Sequence, residues 1–292
     1  RFFNQLFNLL KISFTILFIG GLTYYIIDRI QKKNNLMDIE EYSPKSTLIN
    51  KKTKLKRSKY PFVDVHNHQF DMPLKNLNKL VAEMDSLNMG FMINLSGFRG
   101  LYLKKSLENI KENAPNRFGL FLNIDFEAID ESDFEATQTA LIDSAVNAGV
   151  MGLKVYKSLG LTDTDSKGNR ISINDPRLAP IWDTCGKNKI PVLIHSGEPS
   201  SFWHPKDKFN ERWLELRQKP NRFRDPDTNP SFEEVLAEQH EVFKKHPNTI
   251  FINAHLGWMG NDLDRLETHL DTFPNVMTEI GAVLAELGRQ PK

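Results

Sequence analysis

The chain has 292 residues, room for one large domain or two small ones, with a net charge of +1 and a single cysteine. Residues 1–59 hold 12 Lys and Arg against 4 Asp and Glu, a net of +8; the remaining 233 hold 26 against 33, a net of −7. The larger part therefore lacks the basic footprint of a nucleic-acid binder, and one thiol, Cys185, excludes an internal disulfide framework.

From the N-terminus, Phe2 to Ile27 carries one charge, Lys11, and Ile12–Ile27 carries none. Those 16 residues would rise only about 24 Å as a helix. A bilayer span therefore needs a start near Phe7, with Lys11 snorkelling and Tyr24 and Tyr25 at the far interface. The alternatives are a signal sequence, for which no Ala-x-Ala-like cleavage site follows, and a buried soluble helix. The expected organisation is a transmembrane anchor over residues 1–30, a basic polar linker over 31–59, and a barrel over 60–292. The barrel is expected to be held at a membrane on its extracytoplasmic side. Lys51, Lys52, Lys54, Lys56, Arg57 and Lys59 make the linker either a solvated tether or a contact for anionic lipid head groups. The chain opens on Arg1 rather than Met and stops at Lys292 with no recognisable terminal element, which reads as a piece of a longer protein.

Beyond Tyr60, short apolar runs alternate with amphipathic stretches. Strands are expected at Phe62–Val65, Phe91–Leu95, Phe118–Ile124, Met151–Tyr156, Pro191–His195, Thr249–Ala254 and Val276–Ile280. Helices are expected at Leu74–Leu87, Leu101–Asn113, Asp133–Asn147, Asp175–Lys187, Ser231–Lys245 and Asn261–Thr272. Strict β–α alternation demands parallel pairing with right-handed crossovers, in a doubly wound sheet or a (β/α)8 barrel. The apolar strands suit a sheet covered on both faces. Seven strands in the residues available fit an α/β (β/α)8 TIM barrel cut off after its seventh strand.

Polar residues cluster where these strands end. Strand one closes on His66-Asn67-His68, and alternate residues of an extended chain point to one side, as half of a Zn-type site requires. An isolated pair of this kind also occurs by chance on exposed strands. Strands five and six end in His195 and His255, strand seven carries Glu279, and Lys154 interrupts the apolar fourth strand. In a parallel barrel all these strand ends meet on the catalytic face, so four of eight histidines converge on one rim. Of the others, His240, His246 and His269 read as structural, in or beside helices, while His204 lies in a loop and stays open. Lys154 can be carbamylated and bridge two metals, remain a free amine in the pocket, or snorkel to the rim. The stretch Glu198–Pro230 is long for a loop in a compact domain and rich in aromatics, so it reads as a lid or substrate wall presenting Trp203 and His204. Its Arg212 can grip a substrate carboxylate or fasten the loop to a neighbouring acid.

Four stretches carry a resemblance: Val63-Asp64-Val65-His66-Asn67-His68, Gly152-Leu153-Lys154, Pro191-Val192-Leu193-Ile194-His195-Ser196-Gly197 and Asn253-Ala254-His255-Leu256-Gly257. Together they resemble the amidohydrolase superfamily, in its amidohydrolase-related (family 2) branch of metal-dependent TIM-barrel hydrolases and decarboxylases. The resemblance implies His66, His68 and His195 as metal ligands and His255 as a catalytic or second-site histidine; from its own place in the fourth strand, Lys154 is the further catalytic candidate. It also implies a metal-binding Asp after strand eight, beyond this sequence. The expected cofactor is one or two divalent ions, Zn2+ first. The expected reaction is hydrolysis of an amide or lactone, with decarboxylation of a small acid, or a non-catalytic membrane-tethered binding barrel, as alternatives. The expected partners are a small-molecule substrate, membrane lipid through the N-terminal helix, and a second copy of the chain.

Overall fold

The computed structural model describes residues 17–30, 42–45 and 55–290, in two compact units, Arg1–Lys54 and Leu55–Lys292. In the first unit residues 17–30 form helix α1. No helix among the described residues is long and apolar enough to cross a membrane, and the span expected to start near Phe7 lies partly outside them.

In the second unit seven strands pair in parallel in the order of the sequence: β1 (Phe62–Asn67), β2 (Met89–Asn94), β3 (Phe118–Leu122), β4 (Gly152–Val155), β5 (Val192–Ile194), β6 (Phe251–Asn253) and β7 (Val276–Thr278). Between and after them lie α2 (Leu77–Leu87), α3 (Gly100–Asn113), α4 (Phe134–Ala148), α5 (Ala179–Lys187), α6 (Trp213–Gln218), α7 (Phe232–Lys245), α8 (Leu263–Thr272) and α9 (Leu284–Leu287). All seven expected strands form, and the sheet is a TIM-barrel wall. The strand that would close β7 onto β1 is not among the described residues.

The two-residue period of the strands divides their side chains between two apolar layers. Leu120, Leu122, Leu153, Val155, Val192, Ile194 and Phe251 pack in the large core with buried residues of the helices. Leu95, Phe121, Leu193 and Ala254 form a separate small cluster on the other, concave face. Lys154 and His195 alternate with Val155 and Ile194, so they join this inner face. Gly152 is needed there, because a Cβ on it would lie 2.4 Å from the Phe121 ring.

Local signals set the helix ends. The expected helix Leu74–Leu87 begins instead at Leu77, since the Asn76 side chain accepts the Lys79 N–H. A capping box of Ser231 and Glu234 opens α7, and α4 stops at Gly149, φ 110°, a left-handed residue that costs glycine little. The polar stretch after β4 folds back as a turn, bridging Thr164 to Arg170. Cys185 is fully buried on α5, and burial pushes its thiol pKa up.

Candidate metal centre

His66, at the end of β1, stacks on His255, just past β6, with ring centroids 4.7 Å apart. On a flat sheet the five strand spacings between β1 and β6 would separate them by about 24 Å. Only a sheet rolled into a barrel brings them together. His195 completes the group, 4.3 Å from the His255 ring and 5.9 Å from that of His66. One ligand atom from each of the three lies within 4.8 Å of the others.

Two of the three imidazoles are steered from behind. His66 donates from Nδ1 to Glu279 Oε1 at 2.8 Å, and His255 from Nδ1 to the Gly281 carbonyl at 2.7 Å, which leaves Nε2 of both rings as the lone-pair nitrogen. Nε2 of His195 is buried without a partner, and burial holds that imidazole's pKa well below its ordinary value, helped by the charge of Lys154. Imidazoles presenting bare nitrogens, one of them backed by a carboxylate, are the donor set a divalent ion takes. Tetrahedral ligands at 2.0–2.1 Å stand about 3.4 Å apart, so small side-chain movements would close the cluster on an ion.

His255 reaches this position through an unusual turn. His255, Leu256, Gly257 and Trp258 all have φ between 55° and 60°, which costs a residue with a Cβ about 1–2 kcal/mol. The exit of β7 holds the turn in place. Glu279 Oε1 accepts the His255 N–H at 2.8 Å, and the Glu279 carbonyl accepts the Leu256 N–H at 2.9 Å. Backbone kept in such a region by surrounding contacts is typical of functional sites. Burial raises the Glu279 pKa, but hydrogen bonds from His66 and from the His255 and Gly281 amides outweigh it and keep the carboxyl below its ordinary value.

His68 stands outside the triad. Its Nδ1 is tied to Ser96 Oγ at 2.8 Å, and its ring lies 5.5 Å from that of His66 and 6.0 Å from that of Tyr156. Burial, then the charge of Lys154, lowers its pKa to about 4. Lys154 is 1% exposed, and its Nζ has no hydrogen-bond partner. Burial lowers the pKa of this amine to about 7, against the opposing pull of Glu279. It borders a cavity of about 160 Å³ shared with Tyr156, Asp125 and Asp163. An inner-face amine without a hydrogen bond, 5.5 Å from the Tyr156 ring centroid and near enough for its charge to act on His195 and His255, is hard to account for by packing alone.

Residues 114–291, more than half of the chain, match the family described as Amidohydrolase. The chain belongs to the amidohydrolase family. The match takes in β3 to β7, and with them Lys154, His195, His255 and Glu279. No curated protein sequence gives a significant match. Solved structures similar to this amidohydrolase include an uncharacterised TIM-barrel protein from Bordetella bronchiseptica, at 12% identity over 77% of this chain and 76% of that one, TM-score 0.47. Dihydroorotase from Campylobacter jejuni aligns at 17% identity over 75% and 54%, TM-score 0.42. 4-Oxalomesaconate hydratase from Rhodopseudomonas palustris aligns at 12% identity over 74% and 64%, TM-score 0.46.

In the amidohydrolase the long segment after β5 is folded, with short turns at Ser200–Phe202 and Pro220–Arg222 around α6. Trp203 donates from Nε1 to the Pro230 carbonyl at 2.7 Å and packs on Phe232, while His204 lines a cavity of about 320 Å³ with Trp203 and Trp258. Trp258 also contacts the His255 ring, with centroids 4.7 Å apart, and so stands between this cavity and the triad. Arg212 is engaged by Glu286 and by Glu215, the latter at 3.3 Å, and so fastens the loop to α9. Glu279 is the residue that sequence reading placed on the rim without a role. Its only signal was a carboxylate at the end of a strand.

Proposed function

We propose that this amidohydrolase hydrolyses an amide, lactone or related carbonyl compound, using a divalent ion held by His66, His195 and His255. The carrying observation is the convergence of three imidazoles from β1, β5 and β6 with their ligand atoms within 4.8 Å. The nitrogen-rich donor set favours Zn2+. Bound there, such an ion supplies a water with its pKa lowered toward about 7 and an electrophile for the substrate's carbonyl oxygen. Glu279 fixes the tautomer and direction of His66 and, through the backbone amide, the turn that carries His255. Lys154, unpaired on the inner face, holds or moves a proton at Nζ. His68 is the further imidazole available to a second ion or to the substrate. Trp203 and His204 wall the substrate space. The uncharged run Ile12–Ile27 supports a membrane tether for the enzyme.

The test is the metal content of the purified protein, followed by a substrate screen. We expect about one equivalent of divalent ion, absent from a folded His66→Ala/His195→Ala variant, and hydrolysis of an amide or lactone lost with it. A folded, metal-free wild-type protein would sink the reading. Release of CO2 from carboxylic acids without hydrolysis would move the assignment to a carboxy-lyase.

A further inference from the structure

Beyond His195, the chain buries a carboxylate among more cations than it can balance. Glu198 is 0% exposed. Its Oε1 accepts from Lys157 Nζ at 2.6 Å and lies 3.5 Å from Arg224 Nη2, while Oε2 accepts from Arg222 Nη2 at 3.0 Å. Arg222 also pairs with Glu215. Three cations thus face two carboxylates. Adding the next pair in the network, Arg212 with Glu286, leaves the surplus at one positive charge.

The surplus falls on Arg224. Its side chain is 9% exposed, and among the described residues its one ionic contact is the long one to Glu198 and its Nε is buried without a hydrogen-bond partner. Nε of Arg222 is also buried and unpartnered. Enclosing a guanidinium with donors unmet is costly unless an anion completes it, and forked N–H donors match a carboxylate. The position suits a substrate contact. Glu198 lies three residues past His195, and Lys157 two residues past the end of β4, on the strand-end face that carries the triad.

We propose that Arg224, Arg222 and Lys157 form a subsite for one carboxylate group of the substrate, making this amidohydrolase selective for acids carrying the scissile carbonyl elsewhere in the molecule. The single surplus charge favours a monoanion over a phosphate. The inference rests on the hydrolase reading above, and its test is separable from it.

Benzoate and inorganic phosphate are titrated calorimetrically into the wild-type protein and into His66→Ala/His195→Ala, which removes two of the three proposed metal ligands. We expect benzoate binding to survive in the double variant. Adding Arg224→Gln should weaken it about ten- to a hundredfold, and Arg224→Lys should recover part of the loss. Lys157→Met, at a more exposed position, should weaken binding as well and covers the case in which Arg224→Gln does not fold. Benzoate binding lost with the histidines but kept in Arg224→Gln would place the carboxylate at the metal centre, overturning the subsite and sparing the hydrolase reading. Tighter binding of phosphate than benzoate, or no benzoate binding in any variant, also overturns it. A metal-free wild-type protein that binds benzoate through Arg224 would leave the subsite standing and remove the hydrolase reading.

Discussion

At the scale of single residues, the centre depends on a carboxylate that is not one of the three converging ligands. Glu279 takes a hydrogen bond from His66 Nδ1 and another from the His255 amide, and so couples β1 to β6 through the end of β7. Glu279→Gln keeps the size and removes the charge. We expect it to weaken metal binding about 10- to 100-fold, as loss of a carboxylate behind a ligating histidine does, read by competition with a chelator. Unchanged affinity would show that Glu279 does not orient the triad. Arg212 gives the contrasting case. Sequence left it between a substrate contact and a loop clasp, and its pairing with Glu286 and Glu215 engages it as a clasp.

At the scale of elements, α7 and α8 bury a second histidine pair away from the centre. The rings of His240 and His269 lie 4.9 Å apart, with Phe243 and Phe273 against them, and neither nitrogen of His269 has a partner. Glu233 and Arg265, paired with each other, are the charged groups nearby. Burial, then the charges of His240 and Arg265, lowers the His269 pKa from 6.5 to about 4. The unfolded chain therefore binds a proton more readily than the folded one across that interval. The stabilisation is complete above about pH 6.5 and is lost as pH falls toward 4, by about 3 kcal/mol at most. His269→Phe, which suits the aromatic surroundings, should flatten the dependence of Tm on pH over this range. An equal slope in both proteins would remove His269 as the source.

At the scale of the whole molecule, the triad joins strands far apart in the sheet. An ion on His66, His195 and His255 would tie β1 to β5 and β6 across the barrel. Binding confined to the folded state, with free ion at 100 times Kd, adds about 2.7 kcal/mol, and a unit of this size gains about 2–4 °C in Tm per kcal/mol. Removing the ion with a chelator should lower Tm by roughly 5–10 °C, restored by adding Zn2+. A calorimetric scan with no shift would separate the histidine cluster from metal binding.

The sequence by itself determined the strands, their order and the edge on which the polar residues gather. Short apolar runs such as Val192–Ile194 carry that information locally, and strict alternation with helices admits few topologies. Inside a strand the two-residue period sorts side chains between the two faces, yet the sequence left Lys154 open between a bridging carbamate, a free amine in the pocket and a reach to the rim, and its burial came from the structure. Past a strand's last residue that period no longer applies, and only the tertiary structure decided which histidines meet. A left-handed turn held by Glu279 brings His255 onto His66 and His195, while Ser96, from the next strand's end, ties His68 aside. The cations around Glu198 were equally out of reach of the sequence, since Lys157 and Arg224 meet it only once the barrel has curved and the loop after β5 has folded down.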